Sequence, residues 1–165
     1  MSALLEEDSM FQEDTQKGKY LTFTLGNEHY GLEIKHVTEI IGIQEITMVP
    51  ELPEYIKGII NLRGQIIPVM DVRLRFRKPF REYNDRTCVI VVDIKSVSVG
   101  LIVDAVSEVL SIQDEEVVPP PDVTRGFSNR YIKGIGKVGN EVKLILDCNK
   151  LLNDEETENL GNLPS

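Results

Sequence analysis

The sequence is poor in the side chains that build metal and redox centres. It has two cysteines, Cys88 and Cys148, and two histidines, His29 and His36, in 165 residues. Each cysteine lies in an apolar, strand-like run, "TCVIVV" and "LILDC", where a small thiol usually packs as a hydrophobe. A zinc site needs more ligands than these scattered positions supply. His29 and His36 flank the Gly31 strand with no cysteine or paired acid nearby, and they read as surface residues. No Gly-rich loop is followed by the Lys-Ser or Lys-Thr of a phosphate loop, and no serine sits in a G-x-S-x-G elbow. No apolar run approaches the roughly 20 residues that span a bilayer. The opening "MSALLEEDSMFQEDTQKGK" lacks the basic start of a secretory signal. These absences weigh against an enzyme, a cofactor or a membrane span. The expectation is a soluble cytoplasmic protein.

The net charge of −9 is unevenly placed. Residues 1–19 hold five acids and two lysines, and residues 153–165 hold four acids and no base. Both ends therefore read as solvated, mobile acidic tails. A chain this acidic is a poor non-specific partner for nucleic acid.

What the sequence does contain is a repeat. With an offset of 69, "YLTFTLGNEHYGLEIKHVTEIIGI" (20–43) lies on "VIVVDIKSVSVGLIVDAVSEVLSI" (89–112). Gly31 then meets Gly100, Val37 meets Val106, and Glu39 meets Glu108. With an offset of 76, "YIKGI" (55–59) meets an identical "YIKGI" (131–135), and Asp71 meets Asp147. The change of offset is an insertion in the loop-like "PPPDVTRGFSNR". A tandem duplication is the economical account. It divides the chain at 20–87 and 88–152.

Each copy reads mostly as β. "YLTFTL" alternates, and "CVIVVDI" is nearly all apolar. Each pairs with a following run to make a hairpin. "IKHVTEII" and "VDAVSEVL" fit either a short helical turn or a bent strand. "IINLRGQIIPVMD" and "GIGKVGNEVKLILD" are second hairpins, and "DCNKLLNDEE" suits a short C-terminal helix. About five strands per copy make two small barrels or one larger sandwich, with the copies packed together because each core is small.

The copies differ at one telling place. Arg63 aligns with Gly139 at a hairpin turn, so only the first copy carries a guanidinium there. Arginine is enriched at interface hot spots, and Glu39 is an acid that can reach it. Asp71 and Asp147 read as strand-end caps rather than catalytic carboxylates. Between the copies, Arg73, Arg75, Arg77, Lys78, Arg81 and Arg86 outnumber the acids, and "RLRFRKPF" interleaves aromatics. This stretch (73–81) supports an alternative reading, a nucleic-acid-binding double barrel.

The blocks "YLTFTLGNEHYGLEI", "YIKGIINLRGQIIPVMDVRLRF", "VGLIVDAVSEVL" and "YIKGIGKVGNEVKLILDCNKLL" resemble the CheW family of bacterial chemotaxis adaptors, from about Tyr20 to Leu152. The "GxxNLRGxxxPxxD" block is the most specific part. The same fold recurs in the kinase CheA and in CheV, but this chain has no kinase motifs and no receiver domain. The resemblance implies two SH3-like five-stranded barrels packed around a shared core. It implies a cofactor-free coupler between the cytoplasmic tips of methyl-accepting chemoreceptors and the regulatory domain of CheA. Such a coupler is a monomer in isolation, binds no nucleic acid, inserts into no membrane, and is recruited to receptor arrays. Carried over by motif, the partner-binding positions are Val37, Glu39, Lys57, Gly58, Asn61, Arg63, Cys88, Val89, Val106 and Val109.

Overall fold

The computed structural model describes residues 17–120 and 130–162. Alternating and β-branched residues form β1 (Lys19–Leu25) and β2 (Glu28–Glu33). One 3₁₀ turn, Ile34–His36, leads into β3 (Val37–Gly42). The second hairpin is β4 (Ile56–Leu62) and β5 (Gln65–Asp71), followed by the one-turn helix α1 (Val72–Arg75). The second copy supplies β6 (Cys88–Ile94), β7 (Val97–Val103) and β8 (Ala105–Ser111). After the short β9 (Val117–Val118) come β10 (Ile132–Val138) and β11 (Glu141–Leu146). A 3₁₀ turn at Cys148–Lys150 precedes helix α2 (Asp154–Gly161).

The two ambiguous segments both become strands. "VTEII" forms β3 after its 3₁₀ turn, with a register shift between Val37 and Glu39, and "AVSEVL" forms β8. Crowding of β-branched residues favours this outcome over a helix.

The strands make two sheets, ordered β8-β1-β2-β11-β10-β9 and β3-β6-β7-β5-β4. This corrects the division into contiguous units at 20–87 and 88–152. The hairpin β1–β2 of the first copy lies in the sheet of the second, and β6–β7 of the second copy lies in the sheet of the first. Two short parallel ladders make the exchange. Ile145 of β11 pairs with Gly31 of β2, and Val69 of β5 pairs with Gly100 of β7. A Cβ at Gly100 would fall 2.7 Å from Val89 Cγ1 and 2.9 Å from Val69 Cγ1. The repeated glycine is the residue that lets the two copies close on one another. Exchange also resolves the small-core problem, because neither half has to bury its apolar surface alone.

The second correction concerns the C-terminal end. Residues 154–161 form α2 rather than a solvated tail, and the expected helix begins later than "DCNKLL". Asn153 and Glu156 make a reciprocal capping box, and the acids of the first turn complement the helix dipole. Thr157 and Leu160 are buried. Residues 1–16, 121–129 and 163–165, which include most of the expected N-terminal tail (1–19) and most of the insertion, lie outside the described residues, while Lys19 opens β1.

The main core joins both copies through a run of rings. Phe23 and Tyr30 have centroids 5.4 Å apart, Tyr30 and Phe76 5.6 Å, and Phe76 and Tyr131 5.2 Å. Arg75 lies over the repeat-related rings of Tyr55 (4.1 Å) and Tyr131 (5.2 Å). Its guanidinium donates to the Leu151 carbonyl at 2.9 Å and to the Glu156 carboxylate at 2.9 Å. That clamp ties α2 to the body of the molecule.

Candidate interaction surface

The β4–β5 hairpin closes through two residues, with Leu62 opposite Gln65. Arg63 has φ 52° and Gly64 φ 85°. Two positive φ values belong to a type I′ turn, whose usual occupants are Asn, Asp and Gly. The Gly64 amide donates to Asn61 Oδ1 at 2.8 Å and braces the turn. An arginine at the first central position costs about 1 kcal/mol relative to glycine. The second copy avoids that cost by placing Gly139 there, at φ 61°.

The Arg63 guanidinium reaches across to β3 and forms an ion pair with Glu39. The hydrogen bond to Glu39, and then its charge, raises Arg63 above its ordinary pKa. The pair expected from the sequence is therefore present, and it belongs to the first copy only.

The other candidate positions separate into three groups. Around the pair, Val37 is half-buried on β3, and Asn61 is exposed at the turn. Lys57 lies on β4 with its ammonium 5.0 Å from the Phe80 ring centroid. Cys88 is half-buried at the start of β6, where its thiol donates to the Arg86 carbonyl at 3.4 Å. Beneath the surface, Val89 is fully buried. Gly58 is also buried, and a Cβ there would meet the Thr47 carbonyl oxygen at 2.2 Å. These two shape the sheet and present nothing to a partner. The last two, Val106 and Val109, are on β8 in the other sheet, and Val109 is 51% exposed. The eight positions that reach the surface therefore lie in two places, six on β3, β4, β6 and the β4–β5 turn of one sheet, and two on β8, a terminal strand of the other.

Motif transfer missed five exposed apolar side chains, Ile40 (43%), Met48 (84%), Phe80 (50%), Val118 (37%) and Val142 (51%). The repeat held the signal for one of them. Ile40 aligns with Val109, and both point outward from a terminal strand.

The basic connector is not a free cationic patch. Arg73 and Arg81 both pair with Asp104, at 2.6 and 3.1 Å. Arg75 pairs with Glu156, and Lys78 with Glu28. Burial raises the Asp104 carboxyl. The hydrogen bond from Arg73, the Gly26 amide and the two arginine charges outweigh it and hold the group below its ordinary value. With these cations committed to carboxylates, the nucleic-acid alternative has no support. The matched aspartates are caps. Asp71 accepts from the Leu74 amide and the Tyr83 hydroxyl, and Asp147 accepts from the Asn149 amide. Among the described residues no group of His, Cys, Asp and Glu could hold a metal ion. No helix there is long and apolar enough to cross a membrane.

Fold and surface together define a duplicated β scaffold that offers terminal strands and one charged hairpin tip. Residues 19–156 match the CheW-like domain family. The chain is 38% identical over 150 residues to the chemotaxis protein CheW of Klebsiella aerogenes, covering 91% of this chain and 90% of that protein. It is 34% identical over 147 residues to the chemotaxis protein CheW of Treponema pallidum, covering 87% and 86%. The crystal structure of the scaffolding protein TtCheW from Thermoanaerobacter tengcongensis superposes with a TM-score of 0.78 at 40% identity. That match covers 84% of this chain and 96% of the other. The chain belongs to the CheW family of chemotaxis proteins.

Proposed function

We propose that this protein is a non-enzymatic adaptor that couples methyl-accepting chemoreceptors to the histidine kinase CheA. The observation that carries the proposal is the family match across 19–156, which includes the whole duplicated scaffold. The receptor's cytoplasmic tip and the regulatory domain of CheA are the two partners. The surface that meets them comprises Val37, Glu39, Lys57, Asn61, Arg63 and Cys88 on one sheet, with Val106 and Val109 on the other. Gly58 and Val89 set its shape from below. The protein works in the cytoplasm as a monomer and is recruited to receptor arrays at the membrane.

The test is binding of the purified protein to the regulatory domain of a CheA from the same cell, with Arg63→Glu beside it and circular dichroism on both. Wild type is expected to bind at micromolar Kd or tighter. A folded Arg63→Glu that loses binding assigns the hairpin tip to the kinase side. One that keeps binding directs the same variant to the receptor tip. A folded wild type that binds neither partner overturns the proposal.

A further inference from the structure

The internal repeat provides a template for the segment that leads into β1. The chain enters β6 through the basic connector, whose residues 81–84, 86 and 87 line a cavity of about 280 Å³ beside Asp71 and Asp104. Arg81 pairs there with Asp104 at 3.1 Å, and the Tyr83 hydroxyl donates to Asp71 at 2.7 Å. Phe80 meets the Tyr83 ring edge-on, with centroids 5.5 Å apart, and the Lys57 ammonium lies 5.0 Å from the Phe80 centroid. The connector is thus held by a cation on the Asp104 carboxylate and by one aromatic ring beside a lysine.

A second cavity, of about 630 Å³, lies at the entry to β1. The offset of 69 that lays β1 on β6 places four of its lining residues, Lys17, Gly18, Glu33 and Lys35, on Arg86, Thr87, Ile102 and Asp104 of the first cavity. Lys133 also lines it, at the repeat position of Lys57. Strand orders match as well, since β8-β1-β2-β11-β10 maps onto β3-β6-β7-β5-β4. The sign of the wall is reversed, because Lys35 stands where the first cavity has Asp104. Lys17, Lys19, Lys35 and Lys133 line it with only two acids, Glu33 and Asp114. Glu33 is shared between Lys35, at 3.4 Å, and Lys133. Among the described residues Lys17 and Lys19 make no ion pair. Carried upstream, the same offset places Phe11 on Phe80, Gln12 on Arg81 and Glu13 on Glu82. The stretch 10–16, "MFQEDTQ", therefore keeps the aromatic residue and carries acids and no base. Glu13 and Asp14 stand four and three residues before Lys17, within about 14 Å of a residue that lines the cavity.

We propose that the lysine-lined cavity is the docking site of the chain's own segment 10–16, which lies on it as the connector lies on the first cavity. Phe11 sits by Lys133 as Phe80 sits by Lys57, and Glu13 and Asp14 pair with Lys35 and its neighbouring lysines. Both the segment and the wall have changed sign relative to the other copy, so the pairing is conserved in form and reversed in charge. Covalent attachment at Lys17 keeps the segment at high effective concentration, and a few contacts suffice to hold it. The inference does not depend on the adaptor reading.

The test is amide hydrogen exchange on the full chain, followed in peptides that contain residues 10–16. Wild type is expected to exchange there about tenfold or more slowly than a free peptide of the same sequence. Phe11→Ala, Lys35→Glu and the double variant Glu13→Lys with Asp14→Lys are each expected to return the segment to the free-peptide rate. Circular dichroism should stay unchanged, since the Lys35 side chain is exposed. Lys137→Glu, at an exposed lysine outside the cavity, is expected to keep the protection. Exchange at the free-peptide rate in wild type overturns the inference. Protection that survives both Phe11→Ala and Lys35→Glu places the segment elsewhere and also overturns it. If Lys137→Glu removes protection as fully as Lys35→Glu, the attraction is general and the cavity is not its site. Protection that grows with protein concentration assigns the cavity to another copy's segment and overturns docking within one chain.

Discussion

Arg63 stands where the backbone favours glycine, and the related turn shows that the scaffold can use glycine there. The residue is therefore held for something other than turn formation. Arg63→Gly is expected to leave stability unchanged or raise it by about 1 kcal/mol, since the positive φ no longer carries a side-chain cost. The exposed ion pair it removes stabilises by a similar or smaller amount. Partner binding should fall all the same. Urea denaturation beside a binding titration separates the two effects, and a variant that binds normally would remove Arg63 from the interface. The cysteines offer a second check at this scale. Burial, and then the Asp147 charge, pushes the Cys148 thiol up to about 12, whereas Cys88 is only half-buried. A thiol reagent at neutral pH should label Cys88 in the native protein and reach Cys148 only on unfolding. Arg63 and its partner were legible because the two copies can be compared residue by residue. Val89 was not legible as core, because a valine in a strand motif looks the same on either face.

At the scale of elements, hairpins and strands were readable from alternation and turn residues. A C-terminal helix was readable, but its span was placed too early for a physical reason. Its four acids, Asp154, Glu155, Glu156 and Glu158, resemble a solvated tail, and its length of 8 residues is too short for propensity alone to stabilise it. Its signal was the Asn153…Glu156 spacing of a capping box. Its stability comes from Leu160 in the core and from Arg75, whose side chain is largely buried with that of Glu156. Arg75→Ala leaves the Leu151 carbonyl and the Glu156 carboxylate without their donor. The expected cost is about 2–4 kcal/mol. Hydrogen exchange should show α2 deprotected well before the strands, and unchanged protection there would mean that Leu160 alone holds the helix.

Asp104 joins elements from the two copies, since it accepts from Arg73 and from the Gly26 amide. Its carboxyl is held below its ordinary value in the folded state. The stabilisation is thus complete above the unfolded-state pKa, about 4, and is lost as pH falls through the lower folded value. Acid unfolding should steepen below about pH 4, and Asp104→Asn should be less stable at pH 7 with a flatter acid limb. An acid limb identical to that of wild type would assign the pH dependence to other carboxylates.

At the scale of the whole molecule, periodicity identifies strands and hairpins but not which strands become neighbours. The exchange of β1–β2 with β6–β7 was therefore not legible, although Gly31 and Gly100 were visible as a repeated pair. Exchange makes a sharp claim about foldability. Residues 17–87 alone would lack β7, the parallel neighbour of β5, and residues 88–162 alone would lack β2, the neighbour of β11. Each half would also expose its part of the Phe23–Tyr30–Phe76–Tyr131 run. Expressed separately, the halves should show weak β signal and no cooperative melt. Mixed at equal concentration they should regain the spectrum and melt of the intact chain, with Tm rising with concentration because folding has become association. Independent cooperative folding of either half would show that the exchanged hairpins are an accessory to two self-sufficient units. The pairing of Glu39 with Arg63, made within one copy, would then survive in the first half alone.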